Sequence, residues 1–151
     1  MRPYRLVPIA CLAALCAASV ACSDSTGSNG DDLTIADLVG TWNITQWEYT
    51  RKANGETLDL MALPGATATI VIESNGRYTV EAFAPGMGDL EDAGTLDVSS
   101  DPMTATPDGE DPEIVVITLS GNTFTLYQDD ASNDFGAGEE PASLELVGTR
   151  A

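Results

Sequence analysis

The feature that most constrains this fold is a pair of short stretches in which every second residue is apolar. Residues 66–73 and 77–83 each show one apolar face, the pattern of a half-buried strand, and three residues separate them. A two-residue turn would place the two apolar faces on opposite sides of the sheet. A three-residue loop with Gly76 in a left-handed G1 bulge pairs Ile72 with Tyr78 and keeps one continuous face. This register predicts an antiparallel hairpin packed on a core.

The rest of the chain repeats this pattern. Residues 114–119 and 123–128 form a second predicted hairpin, in which Gly121-Asn122 fits a two-residue turn with glycine first. Shorter strands are predicted over residues 94–98 and 142–150. The segments between the strands are rich in Asp, Gly and Pro and are predicted to be loops: 85–92, 99–112 and 129–141.

The first strand, residues 41–50, follows a short helical turn that Thr34 can cap. Its alternation slips, because Trp42 and Trp47 fall on opposite faces. Either the aromatic residues of one face are exposed to solvent, or a β-bulge near Thr45-Gln46 re-aims the strand. The bulge is the favoured interpretation, because exposed aromatic side chains on a strand are costly.

Four motifs, in this order, resemble those of bacterial lipocalin-like domains: Gly40-Thr41-Trp42, Ser74-Asn75-Gly76-Arg77-Tyr78, Gly94-Thr95-Leu96 and Leu144–Arg150. The resemblance implies an all-β fold, a small antiparallel up-and-down β-barrel with a short N-terminal helical turn. It also implies that Trp42 closes the bottom of the barrel and that Arg150 lies across its ring as a cation–π partner. Independently, Arg150 shares the parity of the apolar residues in its strand, which turns it inward. The chain is short and residues 50–66 show no clear strand pattern, so the barrel is predicted to be either closed or incompletely closed.

The first 32 residues are predicted to direct export, ahead of a barrel domain at 33–151. Residues 1–21 carry two arginines before an apolar run, the pattern of a signal peptide. Ser19-Val20-Ala21-Cys22 resembles the lipobox of bacterial lipoproteins, with serine where that family usually has leucine. The resemblance implies a lipidated Cys22 followed by a flexible tether over residues 22–32. The same residues also suit ordinary signal peptidase, so secretion without a lipid is the alternative.

The predicted location follows from this anchor. The domain is expected to be exported and held on a membrane by the lipid, facing the periplasm or the cell surface. Ser23 after the cysteine resembles the pattern that sends lipoproteins to the outer membrane, if the source is Gram-negative. No other membrane contact is predicted.

Charge and residue content exclude several functions. The formal net charge is −18, and all 24 acidic residues follow residue 22, so nucleic acid is not an expected partner. The chain has no histidine, and its three cysteines lie at Cys11, Cys16 and Cys22. The folded part therefore lacks a Ser-His-Asp triad, a thiol nucleophile and a tetrahedral zinc site. The sequence predicts a protein without enzymatic activity and without a cofactor.

Acidic segments are predicted to be solvated. Asp129, Asp130 and Asp134 lie in a stretch that superficially resembles a calcium loop. Counting from Asp130, phenylalanine and proline occupy the positions where an EF-hand needs glycine and glutamate. No metal site is predicted beyond weak calcium binding at these residues. Two further stretches, 89–92 and 108–111, are predicted to be acidic turns.

The leading functional prediction is a monomeric, lipid-anchored, lipocalin-like protein that binds a small apolar molecule, neutral or cationic, in its barrel. The inward-facing residues are expected to be packed core more often than ligand contacts, because small barrels fill themselves with side chains. The candidate lining residues include Ile70, Ile72, Tyr78, Val80, Phe124 and Leu126, and the candidate rim residues are Trp47, Tyr49, Phe83 and Met87. The alternative is a filled barrel that acts as a structural or protein-interaction module of the cell envelope.

Overall fold

A computed structural model of the protein describes residues 33–136 and 138–151. The predicted signal peptide and tether therefore lie outside the described residues. Within the described part, no helix is long and apolar enough to cross a membrane. The chain there forms these elements: α1 (Ile35–Leu38), β1 (Gly40–Arg51), β2 (Thr57–Asp59), a 3-10 turn (Leu60–Ala62), β3 (Thr67–Ile72), β4 (Arg77–Ala84), β5 (Gly88–Asp97), β6 (Thr104–Pro107), β7 (Glu113–Ile114), β8 (Val116–Ser120), β9 (Thr123–Asp134) and β10 (Glu139–Arg150).

These strands form one antiparallel sheet in the order β7-β6-β5-β4-β3-β1-β10-β9-β8, and β2 pairs with β1 outside this path. The two edge strands, β7 and β8, are consecutive in the chain and are separated only by Val115. The N–H of Val115 donates to the carbonyl of Met103 at 3.0 Å. The sheet therefore curls into an up-and-down barrel that is nearly closed and has one unsealed seam where β7 gives way to β8. This confirms the predicted fold, including its incomplete closure.

The first long strand and the last one meet in one of the two longest ladders of the barrel wall. β1 and β10 pair antiparallel, and Trp42 lies opposite Arg150 in this ladder. The register shifts between Ile44 and Gln46. This irregularity is the predicted bulge, and it allows both Trp42 and Trp47 to face the barrel interior.

Both predicted hairpins have the predicted register. Ile72 pairs with Tyr78 between β3 and β4, and Gly76 has a φ of +84°. Leu119 pairs with Phe124 between β8 and β9 across the turn at residues 121–122. Alternation located these strands correctly because one face of each is buried.

The segments predicted to be loops contain strands, so these predictions are wrong in part. β5 begins at Gly88, within 85–92, and β6 lies inside 99–112. β9 and β10 extend into 129–141, as far as Asp134 and from Glu139. These residues are mostly polar on both faces of their strands, so they lack the alternation of a half-buried strand.

The core fills the end of the barrel at which α1 lies. The side chains of Trp42, Leu38 and Ile117 are fully buried. The rings of Trp42 and Phe124 meet edge to face, with centroids 5.0 Å apart. Gly148 allows the Phe124 ring to lie against the backbone of β10, because a Cβ there would overlap the ring. Burying each large apolar side chain contributes about 1.5–3 kcal/mol, so this layer is a main source of stability.

Candidate ligand site

The guanidinium of Arg150 closes the barrel at the α1 end. Its Cζ lies 4.4 Å from the centroid of the Trp42 ring. Its Nη1 and Nη2 donate to the carbonyls of Val39 and Asp37, both at 2.7 Å, and Trp42 Nε1 donates to the carbonyl of Leu38 at 2.8 Å. The two side chains thus satisfy three consecutive carbonyls that a helical turn leaves without internal partners. The predicted pair is in contact, and both residues are engaged within the fold.

The barrel interior holds a cavity of about 300 Å³. Its wall is mainly apolar and includes side chains from most strands of the barrel. The apolar lining residues are Leu38, Ile70, Ile72, Val80, Leu96, Ala105, Val115, Ile117, Phe124, Leu126, Leu144 and Leu146. Such a wall offers water few hydrogen bonds and suits an apolar molecule.

Most of the predicted lining and rim residues border this cavity: Trp47, Tyr49, Ile70, Ile72, Tyr78, Val80, Phe124 and Leu126. Phe83 and Met87 lie outside it, contrary to the prediction. Phe83 has the opposite parity to the inward-facing Val80, and its side chain is 42% exposed. Met87 belongs to the turn between β4 and β5 and is 51% exposed.

Polar groups gather on the side of the cavity next to the seam. Asp92 on β5, Glu110 in the loop between β6 and β7, and Glu113 on β7 all border the cavity, as does Gln128 on β9. Asp92 and Glu110 are exposed, so the cavity meets solvent here. We refer to Asp92, Glu110 and Glu113 as the acidic mouth. Sequence reasoning did not find these residues, because the first two lie in stretches predicted to be solvated turns.

The electrostatics of this region follow from burial and from like charges. Burial raises the pKa of the Glu113 carboxyl, a hydrogen bond from Gln128 opposes this, and repulsion from Glu110 and Asp92 adds to the increase. Burial and the charge of Asp92 raise the pKa of the Tyr78 hydroxyl, which donates to Asp92 Oδ2 at 3.3 Å. Burial also raises the pKa of Tyr49, a hydrogen bond from Trp47 opposes this, and the charge of Glu113 contributes to the increase. The mouth therefore concentrates negative charge beside two neutral phenols.

Trp47 contributes a buried hydrogen-bond donor to the cavity wall. Its indole Nε1 is shielded from solvent, and its polar neighbour is the Tyr49 hydroxyl, whose pKa it lowers. Its backbone N–H donates to Asp59 Oδ1 at 3.1 Å, which ties β1 to the 3-10 turn. This part of the cavity wall therefore combines an indole with a phenol.

The acidic segment from Asp129 to Asp134, in the second half of β9, binds the side chain of Lys52. Lys52 Nζ lies 3.3 Å from Asp129 Oδ2 and 2.9 Å from Asp130 Oδ1. Asp134 Oδ1 accepts a hydrogen bond from the N–H of Gly136 at 2.7 Å. Over residues 33–136 and 138–151, no three His, Cys, Asp or Glu side chains are grouped so that they could hold a metal ion. The geometry therefore gives no support to the weak calcium binding predicted here.

Comparison with known proteins identifies a family for most of the barrel. The sequence model of a family described as the lipocalin-like domain matches residues 38–126, more than half of the chain. No curated protein and no solved structure matches the chain. The match begins just before β1 and ends within β9, so it includes the acidic mouth, whereas Arg150 lies beyond it. The predicted lipidation site, Cys22, precedes the match and lies outside the described residues.

Proposed function

Because the chain belongs to the lipocalin-like domain family, we propose that it is a non-enzymatic protein that binds a small, mainly apolar molecule in its barrel. The observation that carries this proposal is the cavity of about 300 Å³. This volume is at the lower end of the range for small-molecule sites, about 300–1,000 Å³. At about 30 Å³ for each water-sized group, it accommodates roughly ten non-hydrogen atoms.

The lining defines the chemistry of the ligand. Each buried methylene contributes about 0.8 kcal/mol, from which the cost of immobilising the ligand must be subtracted. A ten-atom ligand is therefore expected to bind with a dissociation constant of about micromolar or weaker.

Residue chemistry supports the absence of catalysis. The part of the chain after Cys22 contains no histidine and no cysteine. It thus offers neither an imidazole base nor a thiol nucleophile, the groups most often used in acyl transfer. Binding is the function that remains well served by an apolar cavity.

Native mass spectrometry of the protein purified from its own host tests the binding proposal. A small molecule that co-purifies reproducibly is the expected result. The variant Leu126→Trp fills the cavity and should lose this molecule, because Leu126 borders it. Tyr127→Trp is the matched control, since it adds an indole on the same strand to an outward-facing position that is 38% exposed. A folded wild type without any bound molecule, or equal loss from both variants, would contradict the proposal.

Export and lipid anchoring are part of the same proposal. They are supported by the apolar run and by the resemblance of Ser19-Val20-Ala21-Cys22 to a lipobox ahead of a polar tether. Radiolabelled palmitate should label the wild type and not Cys22→Ser, and globomycin should block processing of the wild type. Processing without any label would instead support secretion in soluble form.

A protein-interaction module of the cell envelope is the second candidate. The observation in its favour is a group of exposed apolar side chains at the seam: Ile114, Val116 and Tyr127 are 61%, 54% and 38% exposed. Val116 and Tyr127 pair across β8 and β9, so they form one outer patch. If Val116→Ser abolishes capture of an envelope partner while the cavity carries no molecule, this second function replaces the first.

A further inference from the structure

We propose that the ligand of this cavity is an organic cation, with an apolar body inside the barrel and a protonated amine between the carboxylates of the acidic mouth. The inference rests on the proposed binding function and specifies the chemical class of the ligand. It is carried by the position of the three carboxylates on the cavity wall and by where the basic side chains lie.

The carboxylates converge from separate parts of the chain. Asp92 lies on β5, Glu110 in the loop after β6 and Glu113 on β7, and all three border the same cavity as the apolar residues. Glu113 is half-buried, and its pKa is raised by burial and by its two acidic neighbours. Keeping three carboxylates together beside an apolar wall is unfavourable without a counter-charge. A cation held at this position relieves both the desolvation and the repulsion.

The protein does not supply that counter-charge itself. Only four basic residues follow residue 22, and each has partners other than the carboxylates of the mouth. Arg51 pairs with Glu56 and Glu140, Lys52 with Asp129 and Asp130, Arg77 with Asp108, and Arg150 with two backbone carbonyls. None of the four borders the cavity. An acidic surface alone would not produce this arrangement, because it requires inward-facing acids next to an apolar interior.

Aromatic rings complete the surroundings of an ammonium group. Tyr49 and Tyr78 border the cavity, and the charge of Glu113 acts on both hydroxyls, which places them near the mouth. Trp47 lies two residues from Tyr49 and borders the cavity too. The faces of such rings attract cations, and the attraction grows when the cation is desolvated.

Three probes of equal chain length separate the proposals: decylamine, 1-decanol and decanoate. Their ten carbon atoms match the volume estimated above, with the head group at the mouth. At pH 7 decylamine is protonated, since alkyl amines have a pKa of about 10.4. We suggest isothermal titration calorimetry on the full chain carrying Cys22→Ser, which cannot be acylated and is purified without detergent. Decylamine should bind at least about tenfold more tightly than 1-decanol, and decanoate more weakly than 1-decanol, because the mouth attracts cations and repels anions. Propylamine should show no detectable binding, because it lacks the apolar body.

Carboxamide variants locate the charge effect. Glu113→Gln and Asp92→Asn should each weaken decylamine binding about fivefold or more while leaving 1-decanol within about twofold. Glu91→Gln is the matched control: it removes the same charge from the residue next to Asp92, on the outward face of β5. It should leave the affinity for decylamine within about twofold, because nonspecific attraction to an acidic protein is diffuse and screened by salt.

The outcomes distinguish this inference from the binding function beneath it. If 1-decanol binds as tightly as decylamine, or if Glu91→Gln weakens decylamine as much as Glu113→Gln and Asp92→Asn do, the cation inference is overturned and the apolar binding function stands. If the folded protein binds none of the three ten-carbon probes, the proposed function fails as well. Loss of decylamine binding specific to Glu113→Gln and Asp92→Asn supports both.

Discussion

Replacing Arg150 by methionine removes the guanidinium that closes the barrel while keeping an unbranched apolar side chain. The loss comprises a cation–π contact, about 0.5–1 kcal/mol at an exposed site, and two hydrogen bonds from a charged group, about 1.5–3 kcal/mol each. Arg150 is exposed on its outer side, so the lower values apply. We therefore expect the free energy of unfolding to fall by about 3 kcal/mol, out of the roughly 5–15 kcal/mol typical of a single domain.

Equilibrium unfolding in urea measures this change, with tryptophan fluorescence and far-UV circular dichroism as two probes of one transition. Arg150→Lys should lower the free energy of unfolding by about half as much. An ammonium keeps the charge but lacks the two guanidinium nitrogens that reach the carbonyls of Val39 and Asp37. Arg77→Met is the control, since it breaks an exposed ion pair with Asp108 and should matter much less. If the free energy of unfolding falls by less than about 1 kcal/mol in Arg150→Met, or if Arg150→Lys is as stable as the wild type, the role assigned to the guanidinium is refuted.

Three further changes test the packing and the mouth. Gly148→Ala should lower the free energy of unfolding by about 1–3 kcal/mol in urea titrations, because its Cβ would overlap the Phe124 ring. Gly76→Ala should cost about 2 kcal/mol or more by the same measurement, since φ is +84° and the Cβ would lie 2.7 Å from the carbonyl oxygen of Leu96. Glu113→Gln should be more stable than the wild type at pH 7. Its advantage should vanish as the pH falls below the ordinary glutamate pKa of 4.5. The raised pKa in the folded state makes the wild type lose stability as the pH rises from 4.5 through the folded-state pKa. An advantage for Glu113→Gln that persists at pH 3 would contradict this assignment.

The part of the fold that sequence reasoning located is the part with one buried face. Alternation fixed the registers of both hairpins, and the slip between Trp42 and Trp47 located the bulge in β1. The contact between Trp42 and Arg150 could be predicted because the parity of the last strand and the family resemblance agreed. In each case a core on one side imposes a period of two on the sequence.

The acidic mouth could not be predicted for the converse reason. Asp92 and Glu110 lie in segments that are polar on both faces, so their composition is that of solvated turns. Their inward position depends on the ladder between β4 and β5 and on the loop that leads into β7, both of which are long-range features. Phe83 shows the opposite error, because hydrophobicity suggested a rim position although the parity of β4 turns it to solvent.

Stability and binding are assigned to different parts of the barrel, and the ladders explain why this separation is possible. At the closed end, β1 and β10 pair over most of their length and hold Arg150 against Trp42. At the mouth, Glu113 lies on β7, which makes only two bridges to β6 before the seam. A half-buried carboxylate is unfavourable for folding, and it is tolerated where few other interactions depend on its position. Changes at Glu113 should therefore alter ligand selection with little loss of stability, whereas changes at Arg150 should lower stability while leaving the cavity wall intact.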